Sequence, residues 1–260
     1  MKLYNLSVPI GNEVPVVANL PHSGTYVPRS ISERFKQNPR PILYGRDWHL
    51  EKLYDFLPEL GITMIQATHS RYVVNLNRGL QEPLFGPHDS SVIAYENTRN
   101  TCLYDRELSQ VEIEERIKKY YLPYYRRLTG ILKRMTKDYG RAYLVDLHGF
   151  YNGSTEDVCL SNVNATTCSE RFIDGFETAL KKYGFSVNVN KRWIGGYITR
   201  HYGEMDNVES LQIELRFVTY LDMETFGGEE APELDAVKYS DVKERIRNVF
   251  SDVVNAIQEE

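Results

Sequence analysis

Apolar positions in this chain gather into short unbroken runs set between longer stretches of helical period. Pro15–Leu20, Thr63–Ala67, Ala142–Val145, Ser186–Val189 and Leu211–Leu215 are runs of this kind. They read as strands, and those opening at Pro15, Ala142 and Leu211 as strands buried on both faces. Leu50, Leu53, Tyr54 and Leu57 recur at helical spacing, which predicts a helix opened by Asp47 as N-cap and running to about Leu60, weakened by Pro58 and ended by Gly61. Ser109–Tyr139 predicts a long helical region broken or kinked at Pro123, Ser169 caps a helix to about Tyr183, and Tyr239–Ile257 is amphipathic. Ser30–Gly45 (with Pro39 and Pro41), Pro83–Asn100 and Tyr151–Thr167 read as loops. Strands alternating with helices predict an α/β fold, one mixed and mostly parallel central sheet flanked by helices, in a single domain over 1–260.

Composition changes that picture little. The chain has 260 residues, is 42% hydrophobic and 26% charged, and carries a formal charge of −5. These are ordinary globular values, and the sign argues against nucleic acid or an anionic membrane as partner. The 19 tyrosines, several within Lys118–Arg127, suit half-buried packing with a wet hydroxyl. Cys102, Cys159 and Cys168 are an odd count with no close pair, so neither a disulfide framework nor a zinc ribbon is expected. Met1–Pro9 has no secretory signal and no apolar run could span a bilayer, so the expected location is the cytoplasm.

The chemistry gathers at strand ends. The first strand runs into His22, the third into Asp146 and His148, and the last holds Glu214 inside an apolar run. Asp146 and His148 stand two positions apart, on one side of a strand. That pair fits a core histidine satisfied by an acid, or a metal ligand oriented by a carboxylate. Glu214 is expensive there unless paired or functional, and shielding from water would raise it towards the range of a general base. Two histidines and a carboxylate meet the ligand count of a zinc hydrolase, whose open position holds water. His22 is followed three positions on by Thr25, so Asp47 is the nearest candidate for the third ligand, unless it is only a cap. Arg71, Asn77 and Arg78 lie within eight positions and would suit a carboxylate-bearing ligand, though either arginine could serve a structural ion pair. Gly195–Gly203 encloses Tyr197, Thr199, Arg200, His201 and Tyr202 between glycines, without the spacing of a phosphate loop.

Together, Pro21–Thr25, Asp47–His49, His69–Arg78, Asp146–His148, Gly195–Gly203 and Gln212–Leu215 resemble the N-formylglutamate amidohydrolase (deformylase) family, and more coarsely the zinc carboxypeptidases, over most of the chain. Leu147-His148-Gly149 departs from the Ala-His-Ser usual there, as does Arg216 after Leu215. The resemblance implies a zinc-carboxypeptidase-like (phosphorylase/hydrolase-like) fold and hydrolysis of N-formyl-L-glutamate to formate and glutamate, late in histidine breakdown. It implies one zinc ion held by His22, His148 and Asp47, with Glu214 as general base and Asp146 orienting His148. Arg71, Asn77, Arg78 and Arg200 would hold the carboxylates of a small anionic acyl-amino-acid substrate, and Tyr197, Thr199 and His201 would line the pocket. Two alternatives remain open: an amidohydrolase or peptidase for another N-acyl amino acid or small peptide, and a metal-free carboxylate-binding protein.

Overall fold

The apolar runs do become strands, and their pairing is what places the polar side chains. In the computed structural model, which describes residues 2–38, 44–227 and 231–259, nine strands form: β1 (Tyr4–Ser7), β2 (Val16–Leu20), β3 (Thr63–Ala67), β4 (Phe85–Gly86), β5 (Ile93–Ala94), β6 (Ala142–Phe150), β7 (Val158–Ser161), β8 (Val187–Val189) and β9 (Val208–Arg216). Seven build one sheet in the order β1-β3-β2-β6-β9-β7-β8, and β4 and β5 pair separately. β2, β6 and β9 run parallel, and β7, parallel to β8, is antiparallel to β9. The sheet is therefore mixed and mostly parallel, as expected. Among the described residues no helix is long and apolar enough to cross a membrane.

Seven α-helices accompany the strands: α1 (Arg29–Ser32), α2 (Leu50–Leu53), α3 (Gln110–Arg116), α4 (Leu122–Tyr139), α5 (Glu170–Lys182), α6 (Tyr197–Gly203) and α7 (Ala236–Gln258). Ser169 and Asp235 cap α5 and α7 through their side chains, Ser169 as predicted. Ser109 and Glu112 form a capping box on α3. Between α3 and α4 lies a π-helical turn, Ile117–Tyr121. Pro123 explains it, since a ring without an N–H cannot continue a regular α turn over the carbonyl of residue 119.

By contact density the chain divides into two units, residues 1–5, 21–46 and 66–130, and residues 6–20, 47–65 and 131–260. The second contains the main core, in which Val16, Ala18 and Leu20 of β2, Val145 and Leu147 of β6 and Leu211, Ile213 and Leu215 of β9 are buried with α5 and α7 side chains such as Phe176 and Phe250. The first buries the turn-rich segment Tyr72–Asn77 and the tyrosines Tyr120, Tyr121, Tyr124 and Tyr125.

Several expectations need correction. The helix drawn from Asp47 to Leu60 is two short pieces, α2 and a 3-10 turn at Leu57–Leu60 that takes Pro58 in its first turn. Asp47 caps neither, because α2 starts behind His49, which holds a left-handed φ of 57°. Tyr151–Thr167 is not all loop: Val158–Ser161 is fully buried β7, recruited by pairing with β9. Gly195–Gly203 is not an open loop but closes into α6. The third strand runs past Val145 to Phe150, because β9 pairs with it to the end. Pro39 and Pro41 lie outside the described residues.

Candidate functional site

Sheet register builds the first part of the site. Parallel pairing sets Asn19 of β2 beside Asp146 of β6, and Asp146 beside Gln212 of β9. Two positions further on, His148 stands beside Glu214. Antiparallel β7 extends both rows, with Ser161 beside Gln212 and Cys159 beside Glu214. Side chains two apart on a strand share a face, so one side of the sheet carries a polar row and, one pleat nearer the carboxyl ends of β6 and β9, a second row. Each of these side chains is buried, and burial demands that each polar group find a partner.

The partners found are specific. Asn19 Nδ2 donates to Asp146 Oδ1 at 2.7 Å, and Asp146 Oδ2 lies 3.0 Å from His148 Nε2. On the other side of the ring, Asp47 Oδ2 lies 3.0 Å from His148 Nδ1. Burial opposes charge on His148, but the carboxylates of Asp146, Asp47 and Glu214 outweigh it and hold the imidazole well above its ordinary pKa. Gln212 Nε2 donates to Glu214 Oε1 at 3.0 Å, while Gln212 Oε1 accepts the backbone N–H of Gly196 at 2.6 Å.

His22 follows β2 and is held by the turn after β3. Its Nε2 lies 2.8 Å from Asn75 Oδ1, and the same oxygen accepts the backbone N–H of Asn77 at 3.0 Å. That second bond identifies the atom as oxygen, so His22 Nε2 must be the donor and Nδ1 carries the lone pair. His22, Asp47 and His148 each offer one ligand atom, and the three atoms lie within 4.8 Å of one another. Two imidazoles, each with its far nitrogen held by a hydrogen-bond acceptor, and one carboxylate, all buried, are a donor set that fits a divalent ion of the zinc type. This is the group expected from the strand ends.

The remaining predicted residues fall into two sets. Arg71 Nη1 donates to the Gly45 carbonyl at 3.0 Å. Arg78 donates from Nη1 to Asn77 O at 2.8 Å and from Nη2 to Asp89 O, with Glu82 3.6 Å from Nε. Tyr121 Oη in turn donates to Arg78 O at 2.7 Å. Burial first, and then the charges of Arg71 and Arg78, push His88 below its ordinary pKa, with Asp89 and Glu96 opposing, so both guanidinium groups act on one neighbourhood. In the second set, Tyr197 and His201 stack one turn apart on α6 at 5.3 Å, and Arg200 Nη1 donates to Gly195 O at 2.6 Å. Thr199 is fully buried, and its Oγ1 has no protein partner. Gly195 holds φ +123° where an added Cβ would stand 2.7 Å from a Val163 methyl, so only glycine suits the approach to α6.

Asn19, Asn75 and Gln212 were not anticipated from the sequence. The signal was available, because each interrupts an apolar run as Glu214 does, and a buried amide needs its partners just as a buried acid does.

A family model for N-formylglutamate amidohydrolase matches residues 14–221. An N-formylglutamate deformylase of Pseudomonas aeruginosa is 30% identical over 257 residues, 94% of this chain and 92% of that protein. A second, from Pseudomonas putida, is 27% identical over 221 residues, 80% of this chain and 82% of that protein. The fold is similar to the crystal structure of N-formylglutamate amidohydrolase from Ralstonia eutropha JMP134, with a TM-score of 0.87 at 24% identity, covering 100% of this chain and 99% of that one. The match extends over most of the chain and includes His22, Asp47, Asn75, His148 and Glu214, and the chain belongs to the N-formylglutamate amidohydrolase family.

Proposed function

We propose that this protein hydrolyses the amide of N-formyl-L-glutamate to formate and L-glutamate, as a late step of histidine breakdown in the cytoplasm. The observation that carries the reading is the buried group His22, Asp47 and His148 with Glu214 on the neighbouring strand. His22 and His148 would hold a zinc ion through Nδ1 and Asp47 through its carboxylate. A zinc ion there supplies a Lewis acid for the formyl oxygen and lowers the pKa of water. Glu214 takes the proton from the attacking water and returns it to the departing amine nitrogen. Asp146, held by Asn19, keeps the Nε2 proton of His148 in place, and Asn75 does the same for His22. Arg71, Asn77, Arg78 and Arg200 bind the two carboxylates of the substrate. Tyr197, Thr199 and His201 shape the surroundings of Arg200.

Formate release from N-formyl-L-glutamate, measured on protein stripped of metal and then resupplied with zinc, tests this directly. Release that depends on zinc is the expected result. Zinc binding without formate release, together with turnover of an N-acetyl amino acid or a small peptide, would move the reading to another acyl substrate.

A further inference from the structure

Gln212 stands in the row behind the reacting groups and takes no part in the chemistry described so far. It is 2% exposed, and both ends of its amide are engaged. The Gly196 N–H can only donate, so the atom 2.6 Å from it is Oε1. Nε2 is therefore the atom 3.0 Å from Glu214 Oε1, and that carboxylate oxygen must be an acceptor. One oxygen of Glu214 is thus committed to the amide, which leaves Oε2 as the atom that exchanges a proton. The other end of the same amide holds the N-cap of α6, the helix that carries Tyr197, Thr199 and Arg200. Neither end is replaceable by a nearby water without loss, because a bridging water has no fixed donor and acceptor side.

We infer that Gln212 is a positioning residue for the reaction: its amide fixes the rotamer of Glu214 and ties it to the start of α6, so that the proton-accepting oxygen and the α6 side chains are set by one side chain. The inference rests on the proposed role of Glu214. It makes Gln212 act through Glu214, and that is separable from a general contribution to packing.

The test is a double-mutant cycle. Gln212→Met keeps volume and loses both hydrogen bonds, and Gln212→Glu can still accept from Gly196 but at pH 8 cannot donate to Glu214. Each is made in the wild-type and the Glu214→Gln background, with zinc content and thermal melting recorded on every protein. The expected result is a loss of kcat of roughly ten- to hundred-fold for either single variant, with zinc content unchanged. In the Glu214→Gln background the same changes remove less than about two-fold of the residual rate, since the group they position is already gone. Equal losses in both backgrounds, or a Gln212→Glu enzyme with wild-type kcat, would overturn the role of Gln212 alone. Near-normal turnover by Glu214→Gln itself would overturn the role of Glu214, and that of Gln212 with it.

Discussion

Replacing Asn75 with leucine isolates the support of one proposed metal ligand from the ligand itself. Asn75 is 2% exposed, and its Oδ1 is the acceptor for His22 Nε2 at 2.8 Å and for the Asn77 N–H at 3.0 Å. Leucine is close in volume but offers no acceptor, so two buried donors lose their partner together. Each orphaned donor costs about 1–3 kcal/mol, so the metal-free protein should lose roughly 2–5 kcal/mol after some gain from the apolar side chain. Loss of the tautomer lock should further weaken zinc by about ten- to hundred-fold, the range seen when such supporting contacts are removed. Urea denaturation in the presence of chelator reads the first quantity, and competition against a chromophoric chelator reads the second. Asn75→Asp is the control: it keeps the acceptor, adds charge, and should bind zinc at least as tightly as wild type. Zinc affinity within two-fold of wild type in the leucine variant would refute the reasoning, because His22 would then need no partner to present Nδ1.

Three further outcomes follow. Glu214→Gln should keep its zinc, measured by metal analysis, and lose turnover by roughly a hundred-fold or more, as removal of a general base does. Arg78→Lys should raise KM for N-formyl-L-glutamate about ten-fold or more with a smaller change in kcat; a single ammonium cannot hold the Asn77 and Asp89 carbonyls and still offer a planar fork. Glu112 is held down to a pKa of about 2, first by the hydrogen bond from Arg34 and then by the capping-box bonds from Ser109. A depressed pKa adds stability above the unfolded value near 4.3, and that stability is lost as pH falls towards 2. Glu112→Gln should therefore melt no more than about 2–4 °C lower than wild type at pH 7, for a partly exposed pair, and the gap should close by about pH 2.

Much of this molecule was legible from its apolar runs. β2, β3, β8 and β9 lie where those runs fall, because an unbroken apolar stretch has nowhere to go but a doubly covered strand. β7 was hidden, since Val158-Cys159-Leu160 is too short to stand out until β9 offers it an edge. α6 was misread from its bounding glycines, and its Tyr-Ile-Thr composition is poor helix-forming material that only tertiary contacts overrule. Asp47 was ambiguous for a physical reason: an aspartate before an apolar period is what a cap looks like, and only the fold brings it to His148, 101 positions away. Asn19, Asn75 and Gln212 were invisible as function because their value lies in what their two ends touch. The tyrosines of Lys118–Arg127 were expected to keep wet hydroxyls, yet Tyr121 and Tyr125 spend theirs on the carbonyls of Arg78 and Leu76.

That last pair depends on the π-helical turn. The rings of Tyr121 and Tyr125 stack at 4.4 Å, and the two hydroxyls reach two carbonyls of the segment that carries Asn77 and Arg78. The wide turn holds one residue more than a regular α turn would, and that surplus sets the angular phase of everything after it. Deleting a single residue from Ile117–Lys119 would restore an ordinary helix and swing the tyrosine pair about 100° around its axis, away from both carbonyls. The helix should therefore accept substitutions along its outer face while rejecting any change of length, and a one-residue deletion scan would find its only intolerant stretch ahead of Pro123, far along the chain from the histidines it serves.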